Sequence, residues 1–246
     1  MHPQLSILMF GALKCFYYRH WQAFHAVRRM EWSAMLAYLR PKRGERILDI
    51  ASGFGYYCHW LAQRGCQPYG MDLDEYAISV SKHCLDRRCD FRIADAEKLP
   101  YQAGFFDKAY SVSCLEHFAN DDKALAEMNR VLKRGGVLVL DVDALSYRGI
   151  GRRLRAVHAK RYAVRRHYTP DSLRRKLEQH GFSLRAYTHR LGNPVAHCIY
   201  QLGMKLNFAV LFLALVPVLY PLLLIAETLM PNREEGYMLI VKAVKR

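Results

Sequence analysis

Residues 47–55 read Ile-Leu-Asp-Ile-Ala-Ser-Gly-Phe-Gly, and residues 71–74 read Met-Asp-Leu-Asp. A buried strand, a glycine turn, a helix and a second strand ending in a carboxylate are typical of a nucleotide-binding βαβ unit. Gly53 and Gly55 let the backbone pass close to a ligand, because glycine has no Cβ. Asp72 ends the second strand, where its carboxylate is expected to hold a ribose diol.

The spacing of the glycines indicates which nucleotide is bound. A dinucleotide fingerprint requires a third glycine three positions after the second, and Cys58 occupies that place. Asp49 comes just before the turn, where it would repel a pyrophosphate and attract a cationic amino-acid group. The pattern Asp49-x-Ala51-x-Gly53-x-Gly55 resembles motif I of the class I S-adenosylmethionine-dependent methyltransferases, with alanine at 51 where the family commonly has glycine. A turn that only closes a βα loop is the alternative for the glycines taken alone.

Three further blocks follow in the order of that family. Residues 91–96 resemble the third strand and its exit, so Asp95 is expected to accept a hydrogen bond from the adenine amino group; a helix-capping Asp95 is the alternative. Residues 105–118 resemble the fourth strand and the Leu-Glu-His exit of the ubiquinone/menaquinone-biosynthesis type, with Ser113 facing the cofactor. Residues 127–142 resemble the helix, Gly-Gly turn and fifth strand.

The resemblance implies a binding site for S-adenosyl-L-methionine. Carried over residue by residue, the expected cofactor-binding set is Asp49, Ala51, Gly53, Gly55, Asp72, Leu73, Asp95, Ala96 and Ser113. Methyl transfer from a sulfonium is an in-line displacement, which depends first on alignment and on exclusion of water. His117, just beyond the fourth strand, is the residue best placed to take a proton from the acceptor, and a structural role is its alternative. His167 and Tyr168 are weaker candidates, and no metal site is predicted.

The predicted fold class is α/β: a Rossmann-like, doubly wound sheet of seven strands. Its last strand is antiparallel and lies between the fifth and the sixth. Residues 1–40 are expected to form an N-terminal helical segment, and residues 41–192 with 232–246 the methyltransferase domain. Residues 193–231 are expected to form an apolar helical hairpin inserted before the last strand. Thr169 is predicted to cap the helix that precedes the sixth strand.

Length and composition agree with one α/β domain plus an insertion. The chain has 246 residues, enough to bury a full core. Its seven cysteines show no metal-ligand spacing, so neither a zinc site nor a disulfide framework is predicted, and a reduced, cytoplasmic compartment is the default. Leu5–Leu39 reads as one or two helices rich in aromatic residues, which favours packing over cofactor contact. Met1–Phe10 lacks the basic cluster and cleavage site of a signal peptide.

A dense basic tract lies outside the minimal fold. Its members are Arg148, Arg152, Arg153, Arg155, Lys160, Arg161, Arg165, Arg166, Arg174, Arg175 and Lys176. Asp171 is the only carboxylate between Arg148 and Lys176, and the tract holds much of the formal net charge of +15. A solvated helix face is the ordinary explanation of a charge run, but this density favours an anionic partner.

The segment Phe208–Ala226 is uncharged and almost wholly apolar, and its length approaches the ~20 residues of a membrane span. A single crossing would separate the sixth strand from the seventh. We therefore predict a hairpin, with one helix from about Val195 to Leu215 and a break near Pro217–Pro221. It is expected to enter one leaflet or lie at the interface, with the basic tract attracted to anionic headgroups. A dimer interface and a lid over the active site are the alternatives.

These observations together predict a methyltransferase, peripherally or monotopically associated with a membrane on its cytoplasmic side. The expected acceptor is a small lipid-like or lipid-linked molecule, the expected partner is an anionic membrane surface, and no nucleic acid is expected. Two alternatives stay open. One is an RNA or protein methyltransferase that uses the basic tract for phosphate binding. The other is a non-catalytic membrane-bound scaffold with the same fold. The oligomeric state does not follow from the sequence.

Overall fold

The computed structural model describes residues 26–146, 150–205, 210–232 and 234–246. Its strands are β1 (Arg46–Ile50), β2 (Gln67–Asp72), β3 (Asp90–Ile93), β4 (Phe106–Val112), β5 (Leu132–Asp143), β6 (Phe182–Arg190) and β7 (Met238–Lys245). Its helices are α1 (Ala26–Leu39), α2 (Tyr56–Gln63), α3 (Glu75–Cys84), α4 (Asp121–Val131), α5 (Arg152–Tyr162), α6 (Pro170–Gln179), α7 (Pro194–Lys205) and α8 (Val210–Leu229). A short 3₁₀ turn (Leu115–His117) follows β4.

The seven strands form one sheet in the order β3-β2-β1-β4-β5-β7-β6. Strands β1 to β5 pair in parallel, and β7 runs antiparallel between β5 and β6. The predicted Rossmann-like architecture and the place of its last strand are therefore confirmed. The pairing of β5 with β4 shifts register and becomes regular at Val137, just after the glycine pair. This order brings the exits of β1 and β4 side by side, because the register aligns Ile50 with Ser111.

Local signals explain where the helices begin. Thr169 accepts a hydrogen bond from the Ser172 amide, and the Ser172 hydroxyl accepts one from the Thr169 amide, which completes the capping box of α6. Asp74 caps α3 through the amides of Tyr76 and Ala77. These contacts satisfy amides that have no partner within the helix, so each helix starts at a defined residue beside the sheet edge.

Helix α1 covers one face of the sheet. Trp32, Met35 and Leu39 are buried, and the Trp32 ring stacks on Tyr57 at 4.1 Å and lies 5.3 Å from the ring of Tyr110 in β4. The aromatic side chain of Trp32 therefore packs in the core, as its helical spacing indicates. The part of the predicted N-terminal helical segment before Ala26 lies outside the described residues.

Between β6 and β7 lie α7 and α8, and the predicted helix from about Val195 to Leu215 is wrong, because Leu215 belongs to α8. Pro217 and Pro221 lie inside α8, whose residues 210–229 form one helix, so the predicted break near Pro217–Pro221 is wrong. Each proline removes only one helical amide, and the rest of the hydrogen-bond ladder can persist around it. The link between α7 and α8 falls at residues 206–209, outside the described part of the chain.

Among the side chains of α8 that the structure describes, from Val218 onward, one face packs on the domain and the other is exposed. Leu223 belongs to a small core with Leu145 and Tyr237, and Ala226 is also buried. Glu227, 8% exposed, accepts hydrogen bonds from the Leu191 amide at 3.3 Å and the Asn193 side chain at 2.8 Å. Within the described ranges, none of the helices combines the length and apolarity that crossing a bilayer requires.

Most of the described cysteines are free. Cys58, Cys66, Cys89, Cys114 and Cys198 carry free thiols, whereas Cys84 is disulfide-bonded. A fully reduced chain was the expectation, and Cys84 departs from it. Pairing of cysteines depends on their distance in the folded chain, which spacing along the sequence does not reveal.

Candidate active site

In the glycine turn after β1, every second residue from 51 to 55 has a backbone in the left-handed region of φ/ψ space. Their φ angles are +61° at Ala51, +51° at Gly53 and +68° at Gly55. Glycine adopts this conformation without cost, whereas alanine loses roughly 1–2 kcal/mol through its Cβ. The turn is therefore strained at Ala51, the position where the resembled family commonly has glycine.

The two glycines serve different purposes. A Cβ added to Gly55 would lie 2.5 Å from ring atoms of Phe91, so Gly55 is required for packing of the turn against β3. A Cβ added to Gly53 would meet no atom within 4 Å among the described residues. The open side of the turn is thus at Gly53, and that is where a ligand has room to approach.

Asp72 joins the end of β2 to this turn. Its Oδ2 accepts a hydrogen bond from the Gly53 amide at 2.7 Å, and its Oδ1 accepts one from the Asp74 amide at 3.0 Å. Both carboxylate oxygens keep a second lone pair for a ligand. Two apolar side chains flank this edge, since Leu73 is 67% exposed after β2 and Ile93 is 51% exposed at the end of β3. The sequence reasoning missed Ile93, although its place at a strand end was visible.

Asp49 lies inside the domain, only 2% exposed. The Cys58 thiol donates to its Oδ2 over 3.6 Å. Loss of hydration on burial raises the pKa of Asp49 to about 7. Its burial leaves little room for direct contact with a ligand, and a nearby cation would favour the ionised form of Asp49.

Asp95 forms a tight turn after β3. Its Oδ1 accepts a hydrogen bond from the Glu97 amide at 2.9 Å, and its carbonyl accepts one from the Lys98 amide. The alternative role predicted for Asp95, accepting a hydrogen bond from a following backbone amide, is therefore present in the structure. The side chain is exposed, so its other oxygen, Oδ2, is accessible. Ala96 beside it is buried.

Ser113, at the exit of β4, joins two buried carboxylates. Its hydroxyl lies 3.0 Å from Oδ2 of Asp141 and 3.2 Å from Oε1 of Glu31, and it donates its one proton to either. Glu31 and Asp141 are 0% and 1% exposed, and Arg28 binds both oxygens of Glu31 at 3.0 and 2.9 Å. Burial, then the charge of Glu31, raises the pKa of Asp141 well above its ordinary value. Sequence reasoning missed Glu31 and Asp141, although a carboxylate inside the apolar run of β5 was a usable signal for Asp141.

A second buried group of polar residues follows the 3₁₀ turn. The Asp143 amide donates to Oε1 of Glu116 at 3.0 Å, and the Arg165 amide donates to the Glu116 carbonyl at 2.9 Å. Burial raises the pKa of Glu116 to about 8 and that of Asp143 to about 6. Nε2 of His158, in α5, lies 3.5 Å from Oδ2 of Asp143. None of Glu116, Asp143 and His158 was a predicted site residue.

His117 lies next to this group. Its Nδ1 is 3.3 Å from the Ala163 carbonyl, so Nδ1 carries the donated proton and Nε2 is left for another partner. Its own carbonyl accepts a hydrogen bond from Nε of Arg165. The Tyr168 hydroxyl donates to Asp121 inside the domain, which is a packing role for that candidate.

Known proteins resemble this chain in the region that builds the site. Residues 48–140 match a family model described as a methyltransferase domain. The ubiquinone/menaquinone biosynthesis C-methyltransferase UbiE of Bordetella parapertussis is 35% identical over 133 residues, which are 50% of this chain and 46% of that protein. The tRNA U34 carboxymethyltransferase of Syntrophotalea carbinolica is 29% identical over 128 residues, 47% of this chain and 37% of that one.

The fold is shared more widely than the sequence. An S-adenosylmethionine dependent methyltransferase from Mesorhizobium loti superposes with a TM-score of 0.63 at 22% identity, covering 87% of this chain and 97% of the other. The fold is therefore that of the class I S-adenosylmethionine-dependent methyltransferases, and residues 48–140 resemble their methyltransferase domain. Over residues 48–140 the chain is similar to that methyltransferase family. It spans half or less of the length of these two curated relatives, which are named for different acceptors.

Proposed function

We propose that this chain transfers a methyl group from S-adenosylmethionine to a small, lipid-like or lipid-linked acceptor at a membrane surface. The observation that carries the methyl-transfer part is the open side of Gly53 next to the Asp72 carboxylate. A backbone without Cβ, beside a carboxylate with spare lone pairs, fits a ribose diol. The bound cofactor would supply an electrophilic methyl group on a sulfonium.

The remaining predicted residues lie at the carboxyl ends of the same parallel strands and fit such a ligand. Leu73 and Ile93 offer apolar surface for the adenine ring, and Asp95 offers the free carboxylate oxygen that its amino group requires. On the other side of the turn, Ser113 and the negative charge of Asp49 favour the cationic end of the ligand. Ala51, Gly55 and Ala96 contribute backbone to this edge. The chain's own task is to hold the sulfonium and the acceptor in line and to exclude water.

The membrane part of the proposal rests on α8 and α5. The outward face of α8 and the residue after it carry a row of exposed apolar side chains: Val218, Leu222, Ile225, Leu229 and then Met230, between 47% and 74% exposed. Helix α5 beside it exposes Arg152, Arg153, Arg155 and Lys160, and its Leu154 packs against the small core that includes Leu223. An apolar row next to a basic helix fits an anionic lipid surface, which takes up both features.

The basic tract also supports a second candidate, an RNA methyltransferase. Part of the tract is already used inside the domain, since Arg166 and Lys176 pair with Asp121 at 2.6 and 3.0 Å. The exposed arginines of α5 would still attract phosphates. The exposed apolar row on α8 would not contact RNA phosphates, however, and this favours a membrane surface over RNA as the partner. Arg148 lies outside the described residues.

One experiment separates these candidates from a scaffold without turnover. The purified chain is titrated with S-adenosylhomocysteine in a calorimeter, then incubated with methyl-labelled S-adenosylmethionine and either a total lipid extract or total RNA. We expect measurable binding and label in the organic phase. If label enters only the RNA, the acceptor is RNA and not a lipid. If S-adenosylhomocysteine does not bind, the methyltransferase proposal itself is refuted.

A further inference from the structure

Three ring side chains from three separate segments meet above the exit of β5. His158 comes from α5, His167 from the segment before α6, and Tyr200 from α7. The ring centroid of His158 lies 5.7 Å from that of His167 and 6.0 Å from that of Tyr200. Each ring carries a buried polar atom without a hydrogen-bond partner in the described part of the chain: Nδ1 of His158, Nε2 of His167 and Oη of Tyr200.

Unpaired polar atoms on three neighbouring rings offer hydrogen-bonding capacity to a polar ligand. A buried donor or acceptor without a partner costs about 1–3 kcal/mol, so a stable fold rarely keeps several together unless something binds them. They are also held in position. Tyr200 packs on Tyr237 with ring centroids 4.0 Å apart, and His158 is 5% exposed with Tyr162 at 4.8 Å.

The orientation of His158 leaves a base available. Its Nε2 faces the Asp143 carboxylate at 3.5 Å, so Nε2 carries the proton and the Nδ1 lone pair is unpaired. Burial, with smaller contributions from His167 and His117, lowers the pKa of His158 to about 4. The imidazole is therefore neutral at physiological pH, and its Nδ1 lone pair is available to a hydroxyl group.

We infer that this cluster of His158, His167 and Tyr200 binds the acceptor, and that Nδ1 of His158 takes the proton of a phenolic hydroxyl. The inference rests on the proposed methyl transfer and names the substrate class for it. Three unpaired polar atoms match a hydroxyl, which both donates and accepts, and the surrounding tyrosine rings match an aromatic ring.

The cluster lies next to the strand ends that are predicted to bind the cofactor. Asp143 is two residues beyond Asp141, whose carboxylate contacts Ser113, and Glu116 connects the Ser113 exit to the Asp143 amide. In the inferred step, the hydroxyl proton moves to Nδ1 of His158 and the oxygen lone pair forms the new O–C bond. The C–S bond breaks with its electron pair left on sulfur. The imidazolium then releases the proton to solvent, which restores the base.

The test uses the full chain with methyl-labelled S-adenosylmethionine and two matched probes, para-hexylphenol and para-hexylaniline. We expect label in the phenol. The variant His158→Gln should lower kcat for the phenol by about 100-fold or more, the usual contribution of a general base, with KM within about twofold. The exposed His83→Gln is the matched control and should leave kcat unchanged. Calorimetry with S-adenosylhomocysteine is run on every variant.

The outcomes separate the two levels of the proposal. The inference is overturned if His158→Gln keeps the wild-type kcat, or if His117→Gln loses the rate instead. It is also overturned if the wild type binds S-adenosylhomocysteine but labels only the aniline or neither probe. A wild type that does not bind S-adenosylhomocysteine overturns the proposed function. If His158→Gln does not fold, Tyr200→Phe decides, because loss of its hydroxyl should raise KM for the phenol about tenfold; an unchanged KM contradicts the inference.

Discussion

The Gly53 amide donates a 2.7 Å hydrogen bond to Oδ2 of Asp72, and this bond ties the turn after β1 to the end of β2. The same carboxylate is the group expected to hold the ribose. Its geometry is therefore set before a ligand arrives, which reduces the ordering cost of binding.

Replacing Asp72 with alanine should weaken S-adenosylhomocysteine binding by roughly 1–3 kcal/mol, since the ribose hydroxyls lose their acceptor. Calorimetric titration measures this directly. Asp74→Ala is the matched control: it removes the cap of α3, at a cost of about 1 kcal/mol in stability, but should bind nearly as well as wild type. Equal losses of affinity in both variants would contradict a ribose contact by Asp72.

Alanine substitutions at the two glycines should separate binding from stability. Gly55→Ala places a Cβ 2.5 Å from the Phe91 ring, so we expect a loss of about 1–3 kcal/mol or more in unfolding free energy. Gly53→Ala strains φ but meets no atom of the described residues, so its larger effect should be on S-adenosylhomocysteine affinity. Urea unfolding and calorimetry measure the pair, and the reverse pattern would place the ligand elsewhere.

Ala51→Gly should stabilise the protein. The φ of +61° costs alanine roughly 1–2 kcal/mol, and glycine recovers part of this despite its greater freedom in the unfolded chain. The control is Ala62→Gly inside α2, where the same change should destabilise by about 0.5–1 kcal/mol or more. Urea unfolding that shows a loss of stability for both variants would mean that no strain is released at residue 51.

The buried carboxyl of Asp49 should make stability depend on pH. Its pKa rises from an ordinary 3.8 to about 7 on folding, so the folded state holds the proton more tightly. Stability is then highest below about pH 4 for this group and falls as the pH rises to about 7. Asp49→Asn should make the decrease in melting temperature between pH 5 and about pH 8 less steep, while the raised pKa values of Glu116, Asp141 and Asp143 maintain the rest of it.

Asp86→Asn is the control for that measurement. Its hydrogen bond with Arg88 lowers the pKa of Asp86 to about 2, so its contribution to stability is present above 3.8 and is lost only as the pH falls through about 2. The pH profile of Asp86→Asn between pH 5 and about pH 8 should therefore follow that of wild type. An Asp49→Asn profile as steep as that of wild type in this window would exclude the raised pKa of Asp49.

Flotation with anionic vesicles tests the exposed row on α8. The double variant Leu222→Glu, Ile225→Glu introduces charge on the outward face, where the two side chains are 50% and 54% exposed, and should abolish flotation. Thr228→Glu, also on α8 and exposed, should reduce it less because it removes no apolar contact. Neutral vesicles should bind more weakly than anionic ones. Flotation of the double variant equal to wild type would remove the membrane from the proposal.

Much of the domain was predictable because its signals are local. Apolar runs followed by glycine or a carboxylate mark strand exits, and their order along the chain corresponds to one sheet order. The turn inside the insertion was not predictable in the same way. Two prolines predict a helix break, yet α8 continues through both, since one missing hydrogen bond at each does not outweigh the rest of the helix and its packing through Leu223 and Glu227.

The sequence by itself determined the sheet and the resemblance to methyltransferases, because these depend on residues close to one another along the chain. Only the tertiary structure decided which polar side chains lie together beyond the ends of β4 and β5. Glu31, His158 and the pair Asp141 and Asp143 come from three distant parts of the sequence, and each alone is an ordinary polar residue. Folding removes them from water, which shifts the pKa values of Asp141, Asp143 and His158 and leaves Oδ1 of Asp141 and Nδ1 of His158 without a partner among the described residues.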